Sequence, residues 1–222
     1  MGKDSFNKFS SWFNTPYYHI LHKKNDASEA SVFLETITNY LNLPEQATIL
    51  NINSKDVQHS EHLNNLGYNV TEIDLNESSI KSKQYDAVFN LFNGFGYFES
   101  DKDYLNVIKS MKANLNETGF AVIDVMNCNV AVENLIPEET RTIGQIDFKL
   151  KQYIEEGYII KDITFEADGQ SHHYQELIKM YSLKDFEALF DQADAYLLDV
   201  FGDYKLNKFR PQTSERLVMI FK

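Results

Sequence analysis

Three observations predict an α/β chain built on a doubly wound, Rossmann-like sheet. Residues 48–74 run apolar strand, helix, strand, with a Gly67-Tyr68 break before the second strand; this is the layout of a βαβ unit. Residues 101–125 repeat helix then strand, and such alternation marks a mostly parallel sheet with helices on its faces. Only residues 75–85 separate the second strand from the next apolar run, 86–92. That gap is too short for a helical crossover between parallel strands, which takes a dozen residues or more. The two strands are therefore expected to lie apart in the sheet, with the first strand between them.

The other elements follow in order. Asp26 and Glu29 frame an N-cap with an acid at the third helical position, and Phe33, Ile37, Tyr40 and Leu41 recur at helical spacing, so a helix precedes the first strand, 48–52. The next helix is expected at about 57–66. Tyr104, Leu105, Ile108, Met111 and Leu115 carry a helix over 101–115, and Asn116-Glu-Thr-Gly119 leads into a strand at 120–125. From 140 to 181 the period falls to two: Ile146, Phe148, Leu150 and Gln152 alternate, Glu156-Gly157 offers a turn, and 158–165 alternate again. These read as antiparallel strands inserted into the fold, not a separate domain. Ser182 opens a capped helix, SLKDFEALF. Strands near 195–201 and at 216–221 then close the chain as a hairpin joined by the polar loop 202–214.

Composition bounds the function. With 222 residues and 43% apolar content the chain is long enough for one sizeable core, and a single domain over 1–222 is expected, carrying the insertion at about 140–181. The net charge of −12 argues against nucleic acid, whose binding draws on Lys and Arg. One cysteine, Cys128, excludes an intrachain disulfide and fits a reducing compartment. There is no signal-like N-terminus and no apolar window of membrane-spanning length, so a soluble, cytoplasmic protein is expected.

A sheet of this kind holds ligands at the carboxyl ends of its strands, here Asn51 to Asn53, Asp74, and Asn90 to Asn93. Asp74 stands 19 positions after Lys55, the distance at which an acid binds ribose hydroxyls in dinucleotide folds. The turn itself, Asn53-Ser54-Lys55-Asp56-Val57, lacks the glycines that let backbone approach a ligand or take positive φ. A β-branched residue such as Val57 at positive φ would be an outlier. Architecture and turn chemistry point in different directions.

The element order, with the strings FNTPYYHILHK, LNNLGYNVTEIDLNESSI, VFNLFNGFGYF, LNETGFAVIDVMN, YSLKDFEALF and TSERLVMIF, resembles a class I S-adenosylmethionine-dependent methyltransferase, a small bacterial member, over nearly the whole chain. The resemblance implies S-adenosylmethionine as cofactor and no metal. It implies Asp74 on the ribose, with Tyr18, Asn51, Asn53, Asn90 and Phe92 about the cofactor and Tyr17, Tyr18, Tyr97 and Phe98 on the substrate side. Against the family pattern, Asn51 stands where the first strand usually carries an acid, Lys55-Asp56-Val57 replaces a Gly-x-Gly turn, and Asn25 stands where an Arg is often found. Residues 75–85 leave no room for a second helix, a third strand and the adenine contacts. Left-handed geometry at a non-glycine costs about 1–2 kcal/mol, and each lost hydrogen bond to a charged ligand group about 1.5–3 kcal/mol. Together these losses come to about 5 kcal/mol or more, several thousandfold in affinity.

Other candidate groups are weaker. His59 and His62, and His172 with His173, are too few for a zinc site. His19, Tyr18 and Tyr97 are the candidates for orienting or deprotonating an acceptor. Lys55 offers a cofactor carboxylate a charge in place of the missing Arg, and the aromatics Trp12, Phe13, Tyr17, Tyr18, Phe92, Phe95, Tyr97 and Phe98 suit either a lid or ordinary core. Gly94 and Gly96 lack the Lys-Ser/Thr pair of a phosphate loop. The expected function is a methyltransferase-fold protein whose cofactor pocket is remodelled, a pseudoenzyme acting as a binding or regulatory module on a small molecule or protein partner, with a homodimer through the unpaired edge of the second strand as one arrangement. The alternative is a functional methyltransferase acting on a small molecule.

Overall fold

The computed structural model describes residues 12, 15–22, 27–52, 57–73, 84–92, 94–95, 98 and 100–222. Its helices are α1 (Pro16–Leu21), α2 (Ala27–Tyr40), α3 (Val57–Asn65), α4 (Asp101–Ala113), α5 (Cys128–Glu133) and α6 (Leu183–Gln192). Its strands are β1 (Thr48–Ile52), β2 (Asn69–Ile73), β3 (Tyr85–Asn90), β4 (Leu115–Met126), β5 (Glu138–Ile143), β6 (Ile146–Glu155), β7 (Tyr158–Ala167), β8 (Gln170–Lys179), β9 (Leu197–Phe201) and β10 (Arg216–Phe221). The chain divides into two compact units, Met1–Asn25 with Ala131–Met180, and Asp26–Val130 with Tyr181–Lys222.

The larger unit is a six-stranded sheet in the order β2-β1-β3-β4-β10-β9. β1 pairs in parallel with β2 on one side and β3 on the other, so the two strands lie apart as expected, but they are parallel to each other and residues 74–84 make the crossover that their length argued against. β3 and β4 are parallel, and β10 joins β4 and β9 in antiparallel fashion to make the C-terminal hairpin. Both faces are covered. Phe33, Leu34, Ile37 and Leu41 of the α2 segment pack on Ile49, Ala87, Phe89, Val122 and Val218. Tyr104, Ile108 and Met111 of α4 and Phe186, Leu189 and Phe190 of α6 pack on Leu50, Val88, Ala121 and Met219 on the other side. Tyr40, which shares the apolar spacing of α2, lies instead 47% exposed and donates its hydroxyl to Asp199 at 3.0 Å.

Several boundaries differ from the pattern in the sequence. The third parallel strand stops at Asn90, two residues early, because Phe92 turns to φ 56°. Leu115 opens β4 instead of closing α4. Asn116-Glu-Thr-Gly119 is not a loop but the start of that strand, where the ladder with β3 shifts register. Gly119 permits this approach: a Cβ there would stand 2.7 Å from the Tyr85 carbonyl oxygen. α6 begins where the sequence places it, with the Ser182 N–H donating to Asp185 at 2.8 Å.

The smaller unit holds the inserted strands as a separate antiparallel sheet, β5-β6-β7-β8. Glu156 and Gly157 turn β6 into β7 with φ of 47° and 81°, as a tight hairpin requires. Its core gathers Trp12, Leu21, Phe148, Leu150, Ile163 and Phe165.

Candidate functional site

Because β2 and β3 lie on opposite sides of β1, the chain's connections diverge there, and the crevice at the carboxyl ends of β1 and β3 is the topological switch point where folds of this kind take ligands. Asn51 sits near the end of β1, 4% exposed, and its amide donates to the Ser60 hydroxyl on α3 at 3.0 Å. Asn90 ends β3 and is fully buried. Two residues on, Phe92 stacks its ring on His59 of α3 at 4.2 Å, with Phe33 and Tyr204 edge-on at 5.8 Å each. Positive φ at a non-glycine costs about 1 kcal/mol or more. A hydrogen bond helps hold it here, since the Phe92 N–H donates to Asp124 at 2.9 Å.

Asp124 is the hub beneath this turn. It is fully buried within β4 and accepts from Arg216 Nε at 2.9 Å and Nη2 at 2.6 Å, and from the Tyr204 hydroxyl at 3.1 Å. Burial works to lower the pKa of Arg216, but the Asp124 charge outweighs it and the net movement is upward. Burial first, and the same carboxylate second, raise that of Tyr204. The sequence reading missed this group. A signal was present: a lone Asp inside the apolar run AVIDVM, and a lone Arg heading RLVMIF.

The smaller unit has its own buried carboxylate. Glu176 on β8, 3% exposed, accepts from Trp12 Nε1 at 2.8 Å, contacts His22 Nε2 at 2.6 Å and pairs with Lys161 Nζ at 3.5 Å. Burial would raise its pKa, yet the His22 hydrogen bond, the charges of Lys161 and His22, and the Trp12 N–H hold it at about 2. The Tyr18 ring lies tilted beside His22 with centroids 4.6 Å apart, and burial, then the Glu176 charge, push its phenol far above the ordinary range. His19 is exposed. Of the other expected site residues, Asn51, Asn90 and Phe92 do gather at the strand ends, while Asn53, Lys55, Asp74 and Tyr97 lie outside the described residues, as do Asn25 and the Asp26 cap. Among the described residues no three His, Cys, Asp or Glu side chains group to hold a metal ion, and no helix is long and apolar enough to cross a membrane.

The fold is that of the class I S-adenosylmethionine-dependent methyltransferases. An S-adenosylmethionine-dependent methyltransferase from Clostridium acetobutylicum ATCC 824 superposes with a TM-score of 0.70 at 14% identity, covering 98% of each chain. The CcbJ methyltransferase from Streptomyces caelestis gives 0.72 at 11% identity, over 98% of this chain and 97% of that one. CalS10 from Micromonospora echinaspora, an amino pentose methyltransferase solved with S-adenosylmethionine bound, gives 0.66 at 13% identity, over 93% and 96%. No protein-family model and no curated protein sequence matches the chain.

Proposed function

We propose that this is a methyltransferase-fold protein whose cofactor crevice has been remodelled, so that it binds S-adenosylmethionine weakly or not at all and works as a binding or regulatory module. The observation that carries the reading is where the sheet stops. β2 is its edge among the described residues, and residues 74–84 are all that join β2 to β3. A segment of that length suffices for one short crossover, not for the helix, further strand and return that would wall the adenine side. The strand ends add to this. S-adenosylmethionine is cationic at its sulfonium and its ammonium, yet Asn51 and Asn90 are neutral, and the buried carboxylate nearby, Asp124, is engaged by Arg216, Tyr204 and Phe92. The described residues therefore fit the cofactor poorly, and no catalytic step is derived through it.

A working methyltransferase acting on a small molecule is the second reading, favoured by the overlap with CalS10 solved with S-adenosylmethionine bound. In it Asp74 would hold the ribose, and Tyr18, Tyr97 and His19 would orient the acceptor by positioning more than by acid–base chemistry. A homodimer through the β2 edge is a weaker candidate, because the Val70 N–H already donates to Asn64 at 3.3 Å and Glu72 is exposed there; capped groups and edge charges oppose strand addition. Titration calorimetry with S-adenosylmethionine and S-adenosylhomocysteine separates the two functions. We expect no binding below millimolar ligand. Micromolar affinity that disappears in Asp74→Ala would refute the module and establish the enzyme's cofactor site.

A further inference from the structure

The inserted sheet ends on one side in β5, Glu138–Ile143. Which of its backbone groups face outward follows from the ladder with β6. The Gln152 N–H donates to the Pro137 carbonyl at 2.8 Å, and the register then sets Glu139 opposite Leu150, Arg141 opposite Phe148 and Ile143 opposite Ile146. Bonded and non-bonded pairs alternate in an antiparallel ladder. Residues 139, 141 and 143 therefore bond to β6, while Glu138, Thr140 and Thr142 turn their N–H and C=O groups to the open edge. All three are exposed. A second strand laid against this edge would have to satisfy those groups and match the edge's charges, which otherwise repel it. Glu139 and Arg141 supply both signs on one face of the sheet, and the two side chains already meet at 2.6 Å.

We propose that the β5 edge pairs with the β5 edge of a second copy of this chain, antiparallel about a twofold axis through Thr140, joining two four-stranded sheets into one. Backbone parity restricts the register. Only a residue with outward-facing groups can lie on the axis, which leaves Glu138, Thr140 and Thr142. An axis on Glu138 would set that carboxylate against its own copy. On Thr142 only residues 141–143 would overlap, with Arg141 facing Ile143. On Thr140 residues 138–142 all pair: Thr140 meets its own copy, Glu138 meets Thr142, and Glu139 meets Arg141 on each side of the axis. The even pairs are the hydrogen-bonded ones, and the Glu139–Arg141 pairs occupy the non-bonded positions, where side chains approach most closely and opposite charges attract. The sheet's other edge, β8, offers no such match. There Met180 bonds to Gly157, so the odd residues face outward, and no axis on one of them sets opposite charges against each other. The pairing is independent of whether the crevice takes S-adenosylmethionine.

Sedimentation velocity of the full chain over about 10–500 µM reads the association, and a strand pair smaller than a standard interface should show a dissociation constant of about 10–100 µM. Thr140→Pro removes an outward N–H and puts a ring in the path of the second strand, but leaves the ladder with β6 whole. It should weaken the dimer at least about tenfold while the circular dichroism spectrum stays that of the wild type. Arg141→Glu and Glu139→Arg each set like charges against each other on both sides of the axis, and each should weaken self-association about fivefold. Mixed in equal amounts, these two variants should associate with each other more tightly than either does with itself, because the acids of one copy then face the arginines of the other. That rescue is a result that mere damage to the fold does not produce, and it keeps the test decisive if Thr140→Pro fails to fold. A monomer across the whole concentration range would overturn the proposal. So would a dimer indifferent to Thr140→Pro and Arg141→Glu, which places the contact elsewhere, or a mixture without preferential association.

Discussion

Replacing Asp124 with Ala removes the acceptor of four hydrogen bonds at a site with no solvent access, and leaves Arg216 with its charge in a side chain only 14% exposed. Breaking one half of a buried ion pair costs about 3–5 kcal/mol, mostly from the abandoned charge. For a chain of this length each kcal/mol lowers the unfolding temperature by about 2–4 °C, so a fall of roughly 6–20 °C is expected. Thermal and urea unfolding followed by circular dichroism read it directly. The reasoning makes a sharper demand on a second variant. Asp124→Leu combined with Arg216→Met removes both charges, and should be more stable than Asp124→Leu alone although it carries one more substitution. Additive losses in the double variant, or a cost under about 1 kcal/mol for Asp124→Ala, would show that the pair is not behaving as a buried one.

Glu176 has its pKa depressed from an ordinary 4.5 to about 2, so its charged form is favoured by folding; the stabilisation is present above the unfolded value and is lost as pH falls from about 5 to about 2, in total about 3 kcal/mol. Glu176→Gln should flatten that acid limb, and the fluorescence of Trp12, the chain's single tryptophan and a direct donor to Glu176, is the readout; an unchanged limb would refute the assignment. Gly119→Ala should cost about 1–3 kcal/mol through its clash with the Tyr85 carbonyl. Gly144→Ala, where a Cβ meets nothing within 4 Å but φ is +62°, should cost only about 1 kcal/mol; equal losses in urea titrations would contradict this division between steric and backbone strain.

Elements set by local chemistry were legible. β1 and β10 begin and end where their apolar runs do, and α6 starts at its Ser182 cap, because strand patterning and capping act over a few residues. The order of β2, β1 and β3 was expected, but the length argument behind it fails, since β2 and β3 are parallel and residues 74–84 join them across β1. The 115–119 segment was misread because Asn and Gly usually signal a loop, whereas here Asn116 accepts from Thr118 and Gly119 admits a close strand, so the same residues build an irregular strand start. The two buried carboxylates were not legible as sites. Tyr204 and Arg216 reach Asp124 from 80 and 92 residues away, and Trp12 reaches Glu176 from 164. Periodicity carries no information over such distances.

The placement of polar groups separates what supports the fold from what serves a ligand. Asp124 and Glu176 are each buried with several donors converging on them, so the cost of burying charge is met inside the protein, as a structural role requires. Asn90, equally buried and only two residues from the backbone N–H that Asp124 holds, has no such provision among the described residues. A chain that had simply lost its ligand site would gain stability by substituting an apolar residue there, since stabilising changes at unneeded positions are easy to reach. The Asn90 amide is therefore a polar group at the strand ends whose burial the described residues do not offset.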